Sequence, residues 1–310
     1  MILKKPKFWD YKKPNIYALI LFPLAFLINQ FSYFNLNNHK KKFKIKTICI
    51  GNIYLGGTGK TTLSIKINKL LNMKGIKSCL IKKYYKNQID EQRLLKNYGK
   101  LFVSKKRTEA LYKAENNNYE IAIFDDGLQD KSINYDIKFV CFNNINWIGN
   151  GLTIPAGPLR EKFSNIKKYK HLFLIGNDEN LNDIKNQIYK VNPSIEIHYA
   201  KYIPTNISEF KENENYIVFS GIGNHQTFLS MIKLYGLNVL KDFQYPDHYN
   251  YKDNDLKKIF EYAKKLNCKI ITTEKDYFRI NVQYLDKIKF IKTELKIFDE
   301  DKLINSIYKT

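Results

Sequence analysis

The sequence predicts an α/β protein with a mainly parallel sheet, followed by a second, smaller α/β domain. Three observations lead to this class. Short apolar runs, typical of buried strands, alternate with stretches of helical periodicity. The runs lie near 47–50, 78–82, 121–125, 137–142 and 170–175, and the helical stretches near 60–74, 90–97 and 107–117. Further strand-like runs lie at 216–220 and near 268–273 and 286–291, and they indicate a second α/β unit. Finally, 310 residues suit one large domain or two ordinary ones.

The composition excludes a disordered chain and a disulfide scaffold. Hydrophobic residues make up 44% and aromatic residues 15%, which is enough to bury a sizeable core. The four cysteines, at positions 49, 79, 141 and 268, lie in apolar runs without Cys-x-x-Cys spacing. We therefore predict buried free thiols in a reducing compartment, and neither a zinc site nor a redox pair.

The net charge of +22 comes almost entirely from lysine, because only four of the 52 basic residues are arginine. Lysines spread evenly along a chain usually form a solvated surface. We accordingly predict no nucleic-acid partner, but attraction to anionic membranes and acidic substrates.

An uncharged apolar run occupies residues 16–28 and has lysines on both sides. As a helix it would be about 20 Å long, short of the hydrocarbon core of about 30 Å. No small-x-small cleavage site follows, which disfavours a signal peptide, while a buried core helix remains an alternative. We predict that residues 1–40 form a helix associated with the cytoplasmic leaflet of the membrane.

A glycine-rich loop follows the first strand and precedes helical spacing of Leu63, Ile67 and Leu70. Strand, glycine turn and helix is the context of a phosphate-binding loop, so residues 41–205 are predicted to be a P-loop NTPase-like domain. Lys60 would reach the β- and γ-phosphates, and the Thr61 hydroxyl would ligate Mg²⁺. The predicted nucleotide-binding residues are Tyr54, Leu55, Gly56, Gly57, Thr58, Gly59, Lys60 and Thr61, with Tyr54 where the pattern expects glycine.

A second apolar strand, Ile121–Phe124, ends in Asp125 and Asp126. Carboxylates at the end of such a strand can bind Mg²⁺ directly or through water. The two motifs together predict ATP or GTP with Mg²⁺.

Four further residues are candidates for phosphoryl-transfer chemistry. Asp90 and Glu91 stand at a helix start, where they are candidate bases or simply cap the helix. His248 lies in a turn-rich segment, and Arg160 lies in a loop fixed by two prolines that can aim its guanidinium inward.

Several blocks of residues follow one another in a fixed order along the chain. The blocks are Gly51-Asn52, Gly56–Thr61, Asp90-Glu91, Asp125–Gln129, Pro155–Glu161, Gly221–Asn224, Pro246-Asp247-His248 and Thr272–Asp276. With these blocks in register, the chain resembles the tetraacyldisaccharide 4'-kinase family, which phosphorylates an acylated glucosamine disaccharide of the lipid A pathway using ATP. The family's phosphate loop likewise lacks the first glycine.

The resemblance implies roles for these positions. Asp90 with His248 would activate the sugar 4'-hydroxyl. Asp126, Asp125 and Glu91 would join Thr61 around Mg²⁺. Charge on the phosphates would be stabilised by Arg160 and Arg107, with Gln129 supporting the site. The substrate would be a lipid disaccharide 1-phosphate at the cytoplasmic face of the inner membrane, bound by a monomer with a C-terminal α/β domain at 206–310.

The chain departs from the family at four places. Lys82–Tyr85 replaces a Ser-Arg-Gly-Tyr block, Gln92 and His225 each stand where proline is usual, and Asp130 replaces histidine. A rival interpretation is a membrane-surface ATPase switch of the partitioning or septum-positioning type. Those proteins place a lysine before the paired glycines, where this chain has Leu55. A kinase of another lipid or nucleotide is the third alternative.

Overall fold

The computed structural model describes residues 5–34, 43–177, 181–247 and 249–308, and for residues 31–34, 87 and 90 it describes the backbone alone. The described residues form two compact units. The larger contains residues 6–34, 43–175, 181–200 and 297–308, and the smaller is built mainly from residues 201–247 and 249–296.

Helices occur in both units, in positions that largely match the apolar periodicity of the sequence. Those of the described residues are α1 (Ile16–Phe34), α2 (Lys60–Met73), α3 (Ile89–Asn97), α4 (Arg107–Asn116), α5 (Asn182–Val191), α6 (His225–Leu234), α7 (Asp253–Lys265), α8 (Glu274–Tyr277) and α9 (Glu300–Tyr308).

The strands of the described residues are β1 (Lys46–Gly51), β2 (Ser78–Lys83), β3 (Leu101–Ser104), β4 (Ile121–Asp125), β5 (Ile137–Asn143), β6 (His171–Ile175), β7 (Glu196–Pro204), β8 (Asn215–Ser220), β9 (Asn238–Gln244), β10 (Lys269–Thr273), β11 (Ile288–Ile291) and β12 (Thr293–Ile297). They form an eight-stranded and a four-stranded sheet, ordered β12-β7-β6-β5-β1-β4-β2-β3 and β11-β10-β8-β9. Neighbouring strands pair in parallel throughout β3-β2-β4-β1-β5-β6-β7 and throughout the smaller sheet. The predicted α/β class with a mainly parallel sheet is confirmed.

The register of the central strands brings the chemically important residues to one edge. Ile50 of β1 pairs with Asp125 of β4, and Ile81 of β2 pairs with Phe124. In a parallel sheet the carboxyl ends of neighbouring strands meet at the same edge. The loop after β1, the acids after β4 and Lys82 near the end of β2 therefore converge.

Apolar side chains cover one face of the large sheet in two adjoining clusters. Ala110 and Leu111 of α4 pack with the face of β1, β2 and β4, and Ile184 and Ile188 of α5 pack with β5 and β6. The opposite face carries α9, because Lys302 contacts Glu196 there. Helix α2 lies beside α9, since Lys66 and Glu300 form an ion pair at 2.8 Å.

The smaller unit contains a buried series of hydrogen-bonded side chains next to its glycine loop, Gly221–Asn224. Ser220 Oγ lies 2.7 Å from His225 Nδ1, and His225 Nε2 lies 2.9 Å from Asp242 Oδ2. Ser220 and His225 are both fully buried. Both imidazole nitrogens have partners, so His225, one of the departures from the family pattern, has a structural role here.

Helix α1 attaches to the larger unit through small and polar residues. Ala18 and Ala25 are buried, and Asn29 Nδ2 donates to Thr153 Oγ1 at 2.6 Å. Its large apolar side chains, in contrast, are mostly exposed; Ile20, for example, is 68% exposed. Among the described residues no helix combines the length and the hydropathy needed to cross a membrane.

One expectation from the sequence needs refinement. The cysteines are free thiols as predicted, but Cys268 is only partly buried, whereas Cys49, Cys79 and Cys141 are buried.

Candidate active site

The phosphate loop is held in shape by its own polar side chains and by a neighbouring loop. The buried Asn52 side chain donates to Thr58 Oγ1 at 2.8 Å and to the Gly56 carbonyl at 3.3 Å. The Leu55 N–H donates to the Pro158 carbonyl at 2.8 Å. Gly59 caps α2 with φ of 80°, a left-handed conformation that glycine adopts without strain. The first turn of α2 thus begins at Lys60. Backbone N–H groups in the first turn of a helix have no partner within the helix, so they can donate to an anionic phosphate.

The end of β4 supplies oxygen atoms next to this helix start. Thr61 Oγ1 donates to Asp125 Oδ2 at 3.1 Å, and Asp125 is 1% exposed. Among the described groups, Asp125 Oδ1 is buried without a hydrogen-bond partner. A buried carboxylate oxygen with unused lone pairs beside a threonine hydroxyl is the donor type that Mg²⁺ prefers. The residues present therefore fit a magnesium ion.

Lys82 lies between two acids at this edge. Its Nζ is 2.6 Å from Asp125 Oδ2 and 2.6 Å from Glu91 Oε2, while the side chain is 3% exposed. Burial by itself disfavours the ammonium, but the two carboxylates outweigh this cost and raise the pKa of Lys82 above its ordinary value. Lys82 is therefore a permanently charged cation inside the site.

Lys82 is not among the site residues predicted from the sequence, where it belongs to the Lys82–Tyr85 departure from the family pattern. A signal was present in the sequence: a lysine directly follows the apolar run Cys79–Ile81 in a buried strand. A lysine at such a position needs a carboxylate partner.

Asp126, Arg160 and Gln129 form a second polar group. Arg160 Nη1 lies 3.3 Å from Asp126 Oδ1 and 3.4 Å from Gln129 Oε1. Gln129 Nε2 in turn donates to the Asn52 carbonyl at 3.0 Å, which links this group to the phosphate loop. The structure thus brings these three predicted residues together.

Arg107 is buried, and the described bonds of its guanidinium hold the turn that follows β4. It donates to Asp130 Oδ2 at 3.0 Å and to the backbone carbonyl of Asp126. Asp126 has φ of 60°, a strained conformation for a residue other than glycine. Arg107 and Asp130, a departure from the family pattern, therefore stabilise the conformation that presents the Asp126 carboxylate.

The remaining predicted residues are placed as follows. Tyr54 is buried and its hydroxyl donates to Asp10 Oδ1 at 3.2 Å, whereas Leu55 is exposed. The backbone of Asp90 lies in the first turn of α3, but its side chain is outside the described atoms. His248 lies outside the described residues. The suggested Asp90–His248 pair therefore stays a prediction.

Lowering the pH should reduce the stability that the Asp126 carboxylate contributes to the fold. Burial alone would raise the pKa of Asp126, but nearby Lys60 and Arg160 lower it below its ordinary value of 3.8. A depressed pKa gives stability that is present above the unfolded value and lost as the pH falls below about 4. In urea unfolding, we expect Asp126→Asn to be less stable than the wild type at pH 6, with the gap shrinking by pH 3.5. The exposed Asp183→Asn on α5 is the control, and a gap that does not change with pH would contradict the prediction.

Comparison with known proteins agrees with this geometry. A family model described as tetraacyldisaccharide-1-P 4'-kinase matches residues 17–310. The tetraacyldisaccharide 4'-kinase of Pelagibacter ubique is 52% identical over 309 residues, covering 100% of this chain and 98% of the relative. The corresponding Rickettsia akari protein is 32% identical, covering 98% of this chain and 96% of the relative.

A solved structure shares the fold. The "apo" form of LpxK from Aquifex aeolicus, crystallised in complex with ATP, superposes with a TM-score of 0.64 at 21% identity, covering 94% of this chain and 98% of that one. With the family model matching nearly the whole chain, this protein belongs to the tetraacyldisaccharide 4'-kinase family.

Proposed function

We propose that the protein is an ATP-dependent kinase that transfers the γ-phosphate of ATP to the 4'-hydroxyl of an acylated glucosamine disaccharide 1-phosphate, giving the bis-phosphorylated lipid A precursor. The observation that carries this proposal is the edge of the large sheet, where Lys60, Thr61 and Asp125 meet, in a chain matched along its length by 4'-kinases. Nucleotide binding is assigned to residues 41–205, and the C-terminal α/β domain, 206–310, contributes His248.

Mg²⁺ would be held by the Thr61 hydroxyl with Asp125 and Asp126, and Glu91 would complete the acidic group. When bound, it supplies positive charge to the phosphate oxygens. The chain's own cations surround the same place, because both Lys60 and Arg160 lower the pKa of Asp126 by their proximity. These cations are placed to stabilise the charge on the transferring group.

The reaction moves one phosphoryl group and one proton. The 4'-oxygen forms a bond to the γ-phosphorus, the bond from that phosphorus to the bridging oxygen breaks, and ADP leaves with the electron pair. The hydroxyl proton goes to a base, for which we propose the His248 imidazole oriented by the Asp90 carboxylate.

The acceptor is a lipid, and α1 offers a surface suited to reach it. The helix attaches through Ala18, Ala25 and Asn29 and leaves its large apolar side chains exposed. We propose that this face enters the cytoplasmic leaflet of the inner membrane, with the lysines around it on the anionic headgroups. A monomer suffices for this arrangement, and light scattering in detergent checks that state.

The test is transfer of ³²P from labelled ATP to detergent-dispersed acyl-disaccharide 1-phosphate. We expect product that requires Mg²⁺, with rates reduced about 10²-fold or more in Asp90→Asn and His248→Gln. Both variants should retain ATP binding, because neither residue belongs to the phosphate loop. Asp183→Asn is the control for a general effect of removing an acid.

Two results would contradict the proposal. Folded, ATP-binding wild type without transfer would indicate another acceptor, and hydrolysis that rises on bare vesicles would favour the ATPase switch. Full rates in both variants would leave the kinase assignment intact and remove the acid–histidine pair.

A further inference from the structure

Two histidines and a glutamate meet at the starts of β6 and β7, in the part of the large sheet beyond β5. His171 is the first residue of β6, and Glu196 and His198 are the first and third residues of β7. The register pairs His171 with Glu196. Because side chains alternate along a strand, all three point to the same face of the sheet.

The three ligand atoms form a compact triangle. His171 Nδ1 lies 3.1 Å from Glu196 Oε2 and 3.4 Å from His198 Nε2, and His198 Nε2 lies 3.9 Å from Glu196 Oε2. In a tetrahedral zinc site with bonds of about 2.0–2.1 Å, neighbouring ligand atoms are about 3.3 Å apart. The observed separations, 3.1 to 3.9 Å, are close to that spacing.

Neighbouring groups hold the triangle in place. The His198 ring stacks on Phe173 with centroids 5.0 Å apart, and the His171 ring lies 5.2 Å from Phe139. Lys302 Nζ lies 3.4 Å from Glu196 Oε1, so Oε2 is the oxygen turned toward the imidazoles. Orientation of ligands by surrounding contacts is characteristic of metal sites.

The triangle is also accessible. A cavity of about 650 Å³ is lined by His171 and Glu196 on one side and by Lys302 and Asn305 of α9 on the other. A bound ion would therefore have room for water at its remaining position, as in three-ligand sites.

We propose that His171, Glu196 and His198 form a binding site for a divalent transition metal, with Zn²⁺ the preferred ion. Two imidazoles and one carboxylate suit Zn²⁺ better than Mg²⁺, which prefers oxygen ligands. The ion ties the start of β7 to β6. Three strand spacings, about 14 Å, separate β6 from β4, so the ion is too far from Asp125 to take part in phosphoryl transfer.

The site is tested on full-length, untagged, chelator-treated protein titrated with Co²⁺, with excess Mg²⁺ present to occupy the acidic nucleotide edge. We expect one Co²⁺ per chain, visible absorption bands of a low-coordinate nitrogen and oxygen site, and a rise in Tm on adding Zn²⁺. Glu196→Gln keeps the shape of the side chain, and His198→Phe keeps an aromatic ring against Phe173. Each should weaken Co²⁺ binding at least about 10²-fold.

Glu294→Gln, an exposed position on β12, is the matched control and should bind as the wild type does. Both site variants should unfold cooperatively when followed by circular dichroism. This shows that they are folded, so that a loss of Co²⁺ binding reports on the site itself. The proposal would be overturned if the wild type did not bind Co²⁺, or if the wild type and both variants bound it equally well. Neither result depends on kinase activity, so the kinase proposal is judged separately.

Discussion

Replacing Lys82 by methionine is expected to lower the free energy of unfolding by about 3–5 kcal/mol. The ammonium is 3% exposed and lies 2.6 Å from each of two carboxylates. Methionine keeps most of the aliphatic stem but leaves Asp125, which is 1% exposed, without its cation. Removing one member of a buried ion pair is costly because the remaining charge stays desolvated.

The same variant should lose kinase turnover by at least about 10²-fold, since Asp125 and Glu91 belong to the proposed Mg²⁺ site. Mg²⁺ should raise the Tm of Lys82→Met more than that of the wild type, because a divalent ion can partly replace the missing positive charge. Urea unfolding, thermal melts with and without Mg²⁺, and the ³²P assay measure these effects.

Lys83→Met is the matched control for Lys82→Met. Lys83 is the next residue of β2, is less buried, and has its Nζ 5.5 Å from the centre of the Tyr85 ring. Its loss should change stability by no more than about 0.5 kcal/mol. The double variant Lys82→Met/Glu91→Gln should recover part of the lost stability, because it removes one of the two unpaired acids. Equal urea midpoints for wild type and Lys82→Met would refute the assigned role.

Replacing Lys60 by alanine should instead lower turnover by about 10²–10³-fold with little loss of stability. Lys60 is the first residue of α2 and half-buried, and its charge acts on Asp126. Its stem is not part of the apolar core, and alanine is a good helix former. What is lost is positive charge beside the phosphates, so the effect falls on the chemical step.

Single-turnover ³²P transfer measures that step, and an ATP titration separates it from binding. Lys69→Ala, an exposed position on the same helix, should retain the wild-type rate. If Lys60→Ala and Lys69→Ala react equally fast, Lys60 does not contact the transferring phosphate. The two lysines therefore give distinct results: Lys82 strongly affects both stability and turnover, whereas Lys60 mainly affects turnover.

The elements that sequence analysis located correctly are those whose evidence is local. In α2, Leu63, Ile67 and Leu71 recur at helical spacing and are all buried. The central strand β4 is buried at every position, so its continuous apolar run indicates a buried strand from the sequence alone. The glycine loop between β1 and α2 needed only residues that are adjacent in the chain.

The elements that sequence analysis missed have weak local patterns. Strand β9 (Asn238–Gln244) lies at the edge of the smaller sheet and has no buried residue. An edge strand that buries few apolar side chains has no continuous apolar run in its sequence, so the sequence pattern does not identify it as a strand. Strand β3 (Leu101–Ser104) has only four residues, one of them buried, and also lies at an edge.

By itself the sequence determined the α/β class, the phosphate loop and the acidic strand end, because each depends on residues close together in the chain. Only the tertiary structure decided what Lys82 does, since its partner Asp125 is 43 residues away and comes within reach only when β2 pairs with β4. The same is true of Arg107 and Asp130, and of His171 with Glu196, whose neighbourhood exists only in the folded sheet. Charge pairing across strands depends on three-dimensional distance and burial, and neither is written in the spacing of residues along the chain.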